Sequence, residues 1–388
     1  MKRNVGVVVR GIRGPIIRPN DDLVKIVVDS LSKAIKSDNI ILKDNDIIGI
    51  TEAVVAKAQN NFVFLEDIKK DIEAKYNNEI GIVFPILSRN RFSNILKAIS
   101  SAVDKIYIQL SYPSDEVGNK LIKDEVLEKT NINPYTDTLT EEEFYQLFKT
   151  ANHEFTNVDY IQLYKTICDN KATIIFSNNP KTILNYTKSI LTADIHTRKK
   201  TKRILMNDAK IIYGLDEIMN KPINSSGYNP DYGLLGSNLS SDDKLKLFPR
   251  DCEKFSYDVQ KEIKKRFNVT LNVLVYGDGG FKDPSGGIWE LADPVISPGY
   301  TDGLKGVPNE IKLKYIADTT LKDLNQDIAQ KELKKLISNK PKTKDMSQGT
   351  TPRQIVDLLG SLCDLTSGSG DKGTPFILIQ GYFDNYAD

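Results

Sequence analysis

The chain has 388 residues, with 53 Lys and Arg against 52 Asp and Glu, a formal net charge of +1, and 40% apolar and 27% charged residues. A disordered chain would carry less apolar content and a larger charge imbalance, and no stretch approaches the roughly 18 consecutive apolar residues of a membrane span. These figures predict a soluble, folded protein of two or three domains or one composite domain, with no general attraction to nucleic acid or acidic membranes; a bound anion must be held in a local pocket.

In chain order, NVGVVVRGI predicts a short buried strand and IRGPIIRPNDDL a loop. Asp21 or Asp22 then N-caps a helix over LVKIVVDSLSKAI, whose Leu23, Ile26, Val27 and Leu31 share a face. DIIGITEAVVAKAQN predicts a strand turning into a helix that carries Lys57; EIGIVFPIL is a strand, RNRFSNILKAISSAV a helix, and KIYIQLSY a strand ending in the polar loop PSDEVGN. This alternation predicts an α/β or mixed α+β fold. Residues 120–265 are more polar and more helical, with Thr140 and Glu143 spaced as a capping box, a strand ATIIF, and a turn then a helix over SNNPKTILNYTKSIL. In the last third, TLNVLVYGDGGFKDPSGG is a buried strand emptying into a Gly- and Asp-rich turn. TTPRQIVDLLGSLCDL is a helix with Thr351 as N-cap, Pro352 in its first position and Gln354 completing a capping box, and FILIQGY is a strand.

Three widely spaced cysteines, Cys168, Cys252 and Cys363, argue against a zinc ribbon or a disulfide framework. Two histidines, His153 and His196, are too few for a histidine-rich metal site, so a hard cation would take oxygen ligands and acid/base work would fall to carboxylates, lysines or tyrosines. The apolar run Val5 to Val9 is too short for a secretory signal, and a cytoplasmic protein is expected.

Several segments could carry chemistry, each with a plainer reading beside it. Gly368-Ser369-Gly370-Asp371-Lys372-Gly373-Thr374-Pro375 can converge backbone N–H groups on a phosphate, or can be a helix-to-strand turn. Asp278, at a strand's carboxyl end before Gly279, suits a divalent cation bridging phosphate oxygens, or an Asp-Gly hairpin turn. Asp115 and Glu116 have the same strand-end placement, or lie in a solvated charged loop. Gly14-Pro15-Ile16-Ile17 can wrap a base or ribose, or pack on the core; Lys57 can pair with phosphate, or be solvated. Asp194, His196, Thr197 and Arg198 combine a histidine with the basic run KKTKR, or belong to an exposed helix.

RGPIIRPNDDL, DIIGITEAVVAKAQ and GSGDKGTPFILIQG, in this order, together resemble the coenzyme F(420)-0:L-glutamate ligase (gamma-glutamyl ligase) family. The resemblance implies a ligase-like α/β fold in two parts, 1–119 and 266–388, interrupted by a large insertion at 120–265, and a homodimer. It implies an enzyme that uses GTP or ATP with Mg2+ or Mn2+ to convert a carboxylate into an acyl phosphate, which the amine of glutamate or another amino acid attacks. By motif position, Gly14 to Ile17, Glu52, Ala53, Lys57, Asn119 and Gly368 to Pro375 match nucleotide contacts, and Asp115, Asp278, Gly279 and Ser369 match the metal positions. Four of these residues depart from the family pattern: Ser369 replaces a metal-binding glutamate, Glu52-Ala53 a Ser-Thr pair, and Gly279 a threonine. The other expectation is therefore a nucleotide- or metabolite-binding protein that kept the fold without the chemistry.

Overall fold

The computed structural model describes residues 5–89, 91–150, 152–153, 157–277, 280–282, 289–291, 296–340, 354–367, 371–385 and 387. Its strands, in chain order, are β1 (Val8–Ile12), β2 (Ile47–Thr51), β3 (Phe62–Phe64), β4 (Glu79–Val83), β5 (Lys105–Leu110), β6 (Leu139–Thr140), β7 (Ala172–Phe176) and β8 (Ser189–Thr192). There follow β9 (Ile211–Gly214), β10 (Asn238–Ser241), β11 (Lys244–Lys246), β12 (Asn272–Gly277), β13 (Gly280–Lys282), β14 (Trp289–Leu291), β15 (Ile296–Tyr300) and β16 (Phe376–Gln380). The mixed α/β class expected from strand and helix alternation is the one observed. The chain packs into two compact units: Met1–Val55, Asp251–Gly277 and Val295–Asp388 form the first, and Ala56–Arg250 with Asp278–Pro294 the second.

The first unit is built on a five-stranded sheet in the order β1-β16-β2-β12-β15. The strands β2 and β12 pair in parallel, while β16 runs antiparallel to both β1 and β2, and β15 antiparallel to β12. IIGI and VLVYG are continuous apolar or small runs, not alternating ones, because both faces of these central strands are covered. One face holds Ile47, Leu274, Tyr276, Ile377 and Ile379 against Val356, Leu359 and Cys363 of the helix Ile355–Thr366. Helix Cys252–Phe267 packs on β12 and β15 and against helix Leu23–Asp38. The predicted start of that last helix holds: the Asp22 carboxylate accepts from the Lys25 N–H at 3.1 Å. At the C-terminal helix, Thr351 and Pro352 lie outside the described residues, and Gln354 occupies the N-cap position without a side-chain cap bond.

The second unit centres on a six-stranded sheet in the order β6-β7-β5-β4-β8-β9. Every pairing is parallel except that of β6 with β7. Starting from β4, the chain adds β5 and then β7 on one side, then returns to place β8 and β9 on the other, the order of a doubly wound open sheet. Helix Phe92–Ala102 buries Phe92, Ile95, Leu96 and Ile99 as its periodicity predicts and packs against helix Leu65–Lys75. Residues 177–192 correct the sequence expectation of a turn and a helix. Pro180–Asn185 forms only a 3-10 turn, and SILT becomes β8. Fully buried Ile190 and Leu191 pair between β4 and β9, so tertiary pairing overrides a run that is locally compatible with helix.

The capping box is present as predicted, with the Thr140 N–H donating to Glu143 Oε2 at 2.8 Å and the Glu143 N–H to Thr140 Oγ1 at 3.3 Å. It opens helix Glu141–Phe148, whose Phe144 stacks on Phe176 of β7 with centroids 4.1 Å apart. Thr140→Ala is expected to cost about 1 kcal/mol, read as a lowered urea midpoint at unchanged slope.

No helix among the described residues is long and apolar enough to cross a membrane.

Candidate functional site

The pairing of the five-stranded sheet brings the ends of its strands to one edge. β1 and β2 end there, β12 ends there at Gly277, and antiparallel β16 starts there. The loops at this edge are joined directly. The Gly14 N–H donates to the Gly373 carbonyl at 3.1 Å, and the Thr51 N–H to the Pro375 carbonyl at 3.1 Å. Gly14 is needed for close approach: a Cβ there would stand 2.9 Å from the Phe376 ring and 3.0 Å from Pro375 Cγ. Gly373 has φ +60°, the left-handed conformation that glycine adopts without strain. Four of the segments named from sequence therefore meet: Gly14 to Ile17, Glu52 with Ala53, the residues leading to Asp278, and residues 371–375.

The individual placements divide the two readings of the apolar loop. Ile17 is 4% exposed and belongs to the core, while Ile16 is 81% exposed at the loop's tip. Asp371, Lys372 and Gly373 are exposed, and Thr374 and Pro375 are half-buried. Glu52 begins the helix Glu52–Ala58 and is only 4% exposed. Its side chain lies across the end of β12, where a Cβ on Gly277 would overlap Glu52 Cγ and come within 3.0 Å of Glu52 Cβ. The sequence reading stopped at Asp278 and missed Gly277; the signal was a glycine closing a fully buried apolar strand. Asp278, Gly279 and Gly368 to Gly370, including Ser369, lie outside the described residues.

Lys57, Asp115 and Asn119 belong to the second unit. Lys57 is exposed in the last turn of its helix. Asp115 is 8% exposed, so the plainer reading of a solvated charged loop is corrected. Its carboxylate accepts from the backbone N–H groups of Leu87 (2.9 Å), Val117 (3.1 Å) and Asn119 (2.9 Å) and from Asn119 Nδ2 (2.8 Å). Burial raises this carboxyl above its ordinary range, and the four donors oppose that shift. Leu87 follows β4 and Asp115 follows β5, so the carboxylate ties together loops at the carboxyl ends of two neighbouring parallel strands.

The loop after β8 joins the same edge. Asp194 is 1% exposed and accepts from Thr197 Oγ1 at 2.6 Å and Thr201 Oγ1 at 2.8 Å, which anchors the start of helix Arg198–Leu205. Glu116 accepts from the backbone N–H groups of Ile195 and His196, and Arg198 pairs with Asp216 at 3.2 Å. His196 is exposed, and the basic run forms the helix of the plainer reading. These hydrogen bonds and ion pairs tie the loops at this edge together.

The thiols are likewise unsuited to attack. Cys168, Cys252 and Cys363 are all buried and free. Burial pushes the Cys252 thiol up to about 12, with the charge of Glu52 adding to the shift, so it stays protonated at neutral pH. Among the described residues no group of three His, Cys, Asp or Glu side chains is gathered to hold a metal by itself. A buried carboxylate at the strand-end edge does fit a hard cation that takes its remaining ligands from phosphate oxygens and water.

Residues 11–381 match the family described as F420-0:Gamma-glutamyl ligase, a match that runs through 120–265, where the motif resemblance had no counterpart. A coenzyme F420:L-glutamate ligase of Methanothermobacter thermautotrophicus (strain ATCC 29096 / DSM 1053 / JCM 10044 / NBRC 100330 / Delta H) is 34% identical over 71 residues. That stretch is 18% of this chain and 27% of the relative, so the chain aligns with about a quarter of the relative's length.

Proposed function

The chain belongs to the F420-0:gamma-glutamyl ligase family, and from that premise we propose that it joins an acceptor carboxylate to an amino-acid amine, with glutamate as the expected amine. GTP or ATP supplies the activating phosphoryl group, and Mg2+ or Mn2+ is the cofactor. The observation that carries this reading is the convergence of Gly14, Glu52, Gly277 and residues 371–375 at one edge of a single sheet.

The chemistry asks for positioning and charge, not for a nucleophilic side chain. The acceptor carboxylate oxygen attacks the terminal phosphorus, the bond to the bridging oxygen breaks, and a nucleoside diphosphate leaves. The amine then attacks the acyl carbon, inorganic phosphate departs and the amine loses a proton, leaving an amide. A divalent cation, when bound, offsets the triphosphate's charge and fixes its oxygens. The chain's own residues do the rest. The Gly14 to Gly373 hydrogen bond holds two loops side by side, Ile16 offers exposed apolar surface for a base, and the exposed Lys372 offers a cation for phosphate. The buried, protonated cysteines agree with a route that forms no enzyme-bound acyl group.

Purified protein is expected to release phosphate from GTP or ATP only when a carboxylate acceptor, glutamate and Mg2+ are all present. Asp278→Ala is expected to lower that release on the order of 100-fold. Nucleotide binding with no turnover across a broad acceptor panel would replace the ligase reading with that of an inactive binding protein.

A further inference from the structure

We propose that Glu52 is a ligand of the divalent cation at this edge, an assignment that rests on the ligase reading above. Three observations carry it. Glu52 follows the last residue of β2, and because Thr51 pairs with Tyr276 it stands level with Gly277 at the end of the parallel neighbour β12. The side chain turns across that neighbour rather than out to solvent, into the space that a Cβ on Gly277 would occupy. It is 4% exposed there, so its charge acts through a medium of low dielectric and not through water.

The chemistry of the position favours a hard cation. A carboxylate oxygen is the ligand type that a hard cation takes. Mg2+ is commonly held by one or two carboxylates, with phosphate oxygens and waters completing its octahedron, so a site of this kind needs no cluster of three acidic side chains. A carboxylate at the carboxyl end of β2, level with the end of β12 and beside the loop that Thr51 and Pro375 join, lies where a bound triphosphate would present its oxygens. The same carboxylate facing a triphosphate without a cation between them would repel it. Glu52 therefore makes nucleotide binding depend on the metal.

Electron spin resonance of Mn2+ tests this, titrating full-length protein with a non-hydrolysable GTP or ATP analogue present and absent, alongside Glu52→Gln and Glu52→Asp. Wild-type protein is expected to retain Mn2+ when the analogue is bound. Glu52→Gln should weaken that retention at least tenfold at an unchanged melting temperature, with Glu52→Asp in between. Glu52→Gln also removes the charge that repels the analogue, so the analogue alone, without metal, should bind it more tightly than wild type. Equal Mn2+ retention by wild type and Glu52→Gln overturns the assignment while leaving the ligase reading standing. No Mn2+ retention by wild type with either analogue overturns both. If Glu52→Gln does not fold, wild-type protein loaded with Fe2+ and treated with ascorbate and peroxide supplies the second test: backbone cleavage beside residues 52 and 277 supports the assignment, and cleavage elsewhere overturns it.

Discussion

Asp115→Ala is expected to destabilise the protein by about 3 kcal/mol or more, because it strands the N–H groups of Leu87, Val117 and Asn119, each costing roughly 1–3 kcal/mol where water cannot replace the lost acceptor. The carboxylate is 8% exposed, and its two oxygens offer about four acceptor positions, which the three backbone donors and Asn119 Nδ2 take up. Asp115→Asn should be nearly as damaging, since an amide has one oxygen and turns an NH2 towards groups that themselves donate. Urea unfolding followed by far-ultraviolet circular dichroism, in EDTA and in Mg2+, separates this role from the metal-binding one expected from motif position. An equal loss in both buffers assigns the carboxylate to loop closure. A variant as stable as wild type in EDTA would refute the hydrogen-bonded role and return Asp115 to the metal.

What could be read in the sequence was local. The glycine- and proline-bearing loops at Gly14 and at 371–375 announce strand ends, and the apolar runs beside them announce buried strands; both signals lie within a few residues of each other. The caps at Asp22 and Thr140 were legible for the same reason. The rest depends on which distant segments pair. Nothing near Glu52 shows that it will stand level with Gly277, because their meeting is fixed by the parallel register of β2 and β12. Asp115 reads as a charged loop residue until Leu87 is brought to it by the pairing of β4 with β5. The polar stretch 120–265 shows β7 in its apolar run ATIIF but conceals β8 and β9, short strands whose burial comes from their neighbours in a six-stranded sheet and not from a long apolar run of their own.

Gly277→Ala is the change expected to reduce activity most for the smallest alteration in the chain. The added methyl group would overlap Glu52 Cγ and crowd its Cβ and Cδ, at 3.0 and 3.3 Å. Both residues sit at the ends of buried strands, so there is little slack, and overpacking of this kind costs about 1–3 kcal/mol. The cheaper escape is for the Glu52 side chain to swing out of its place, which keeps the sheet paired but takes the carboxylate away from the edge where the phosphates are expected. Gly277→Ala should then lose nucleotide-dependent phosphate release on the order of 100-fold while losing only part of its stability. A double-mutant cycle with Glu52→Ala tells displacement from general damage. Truncating Glu52 removes the Cγ and Cδ overlaps and leaves the Cβ contact, so the stability cost of Gly277→Ala should shrink by about 1 kcal/mol or more in that background. In the same background Gly277→Ala should cause almost no further loss of activity, since the carboxylate it displaces is already gone. Strictly additive effects on both stability and turnover would mean that the glycine serves the strand end alone, and that the carboxylate lying across it has no part in the reaction.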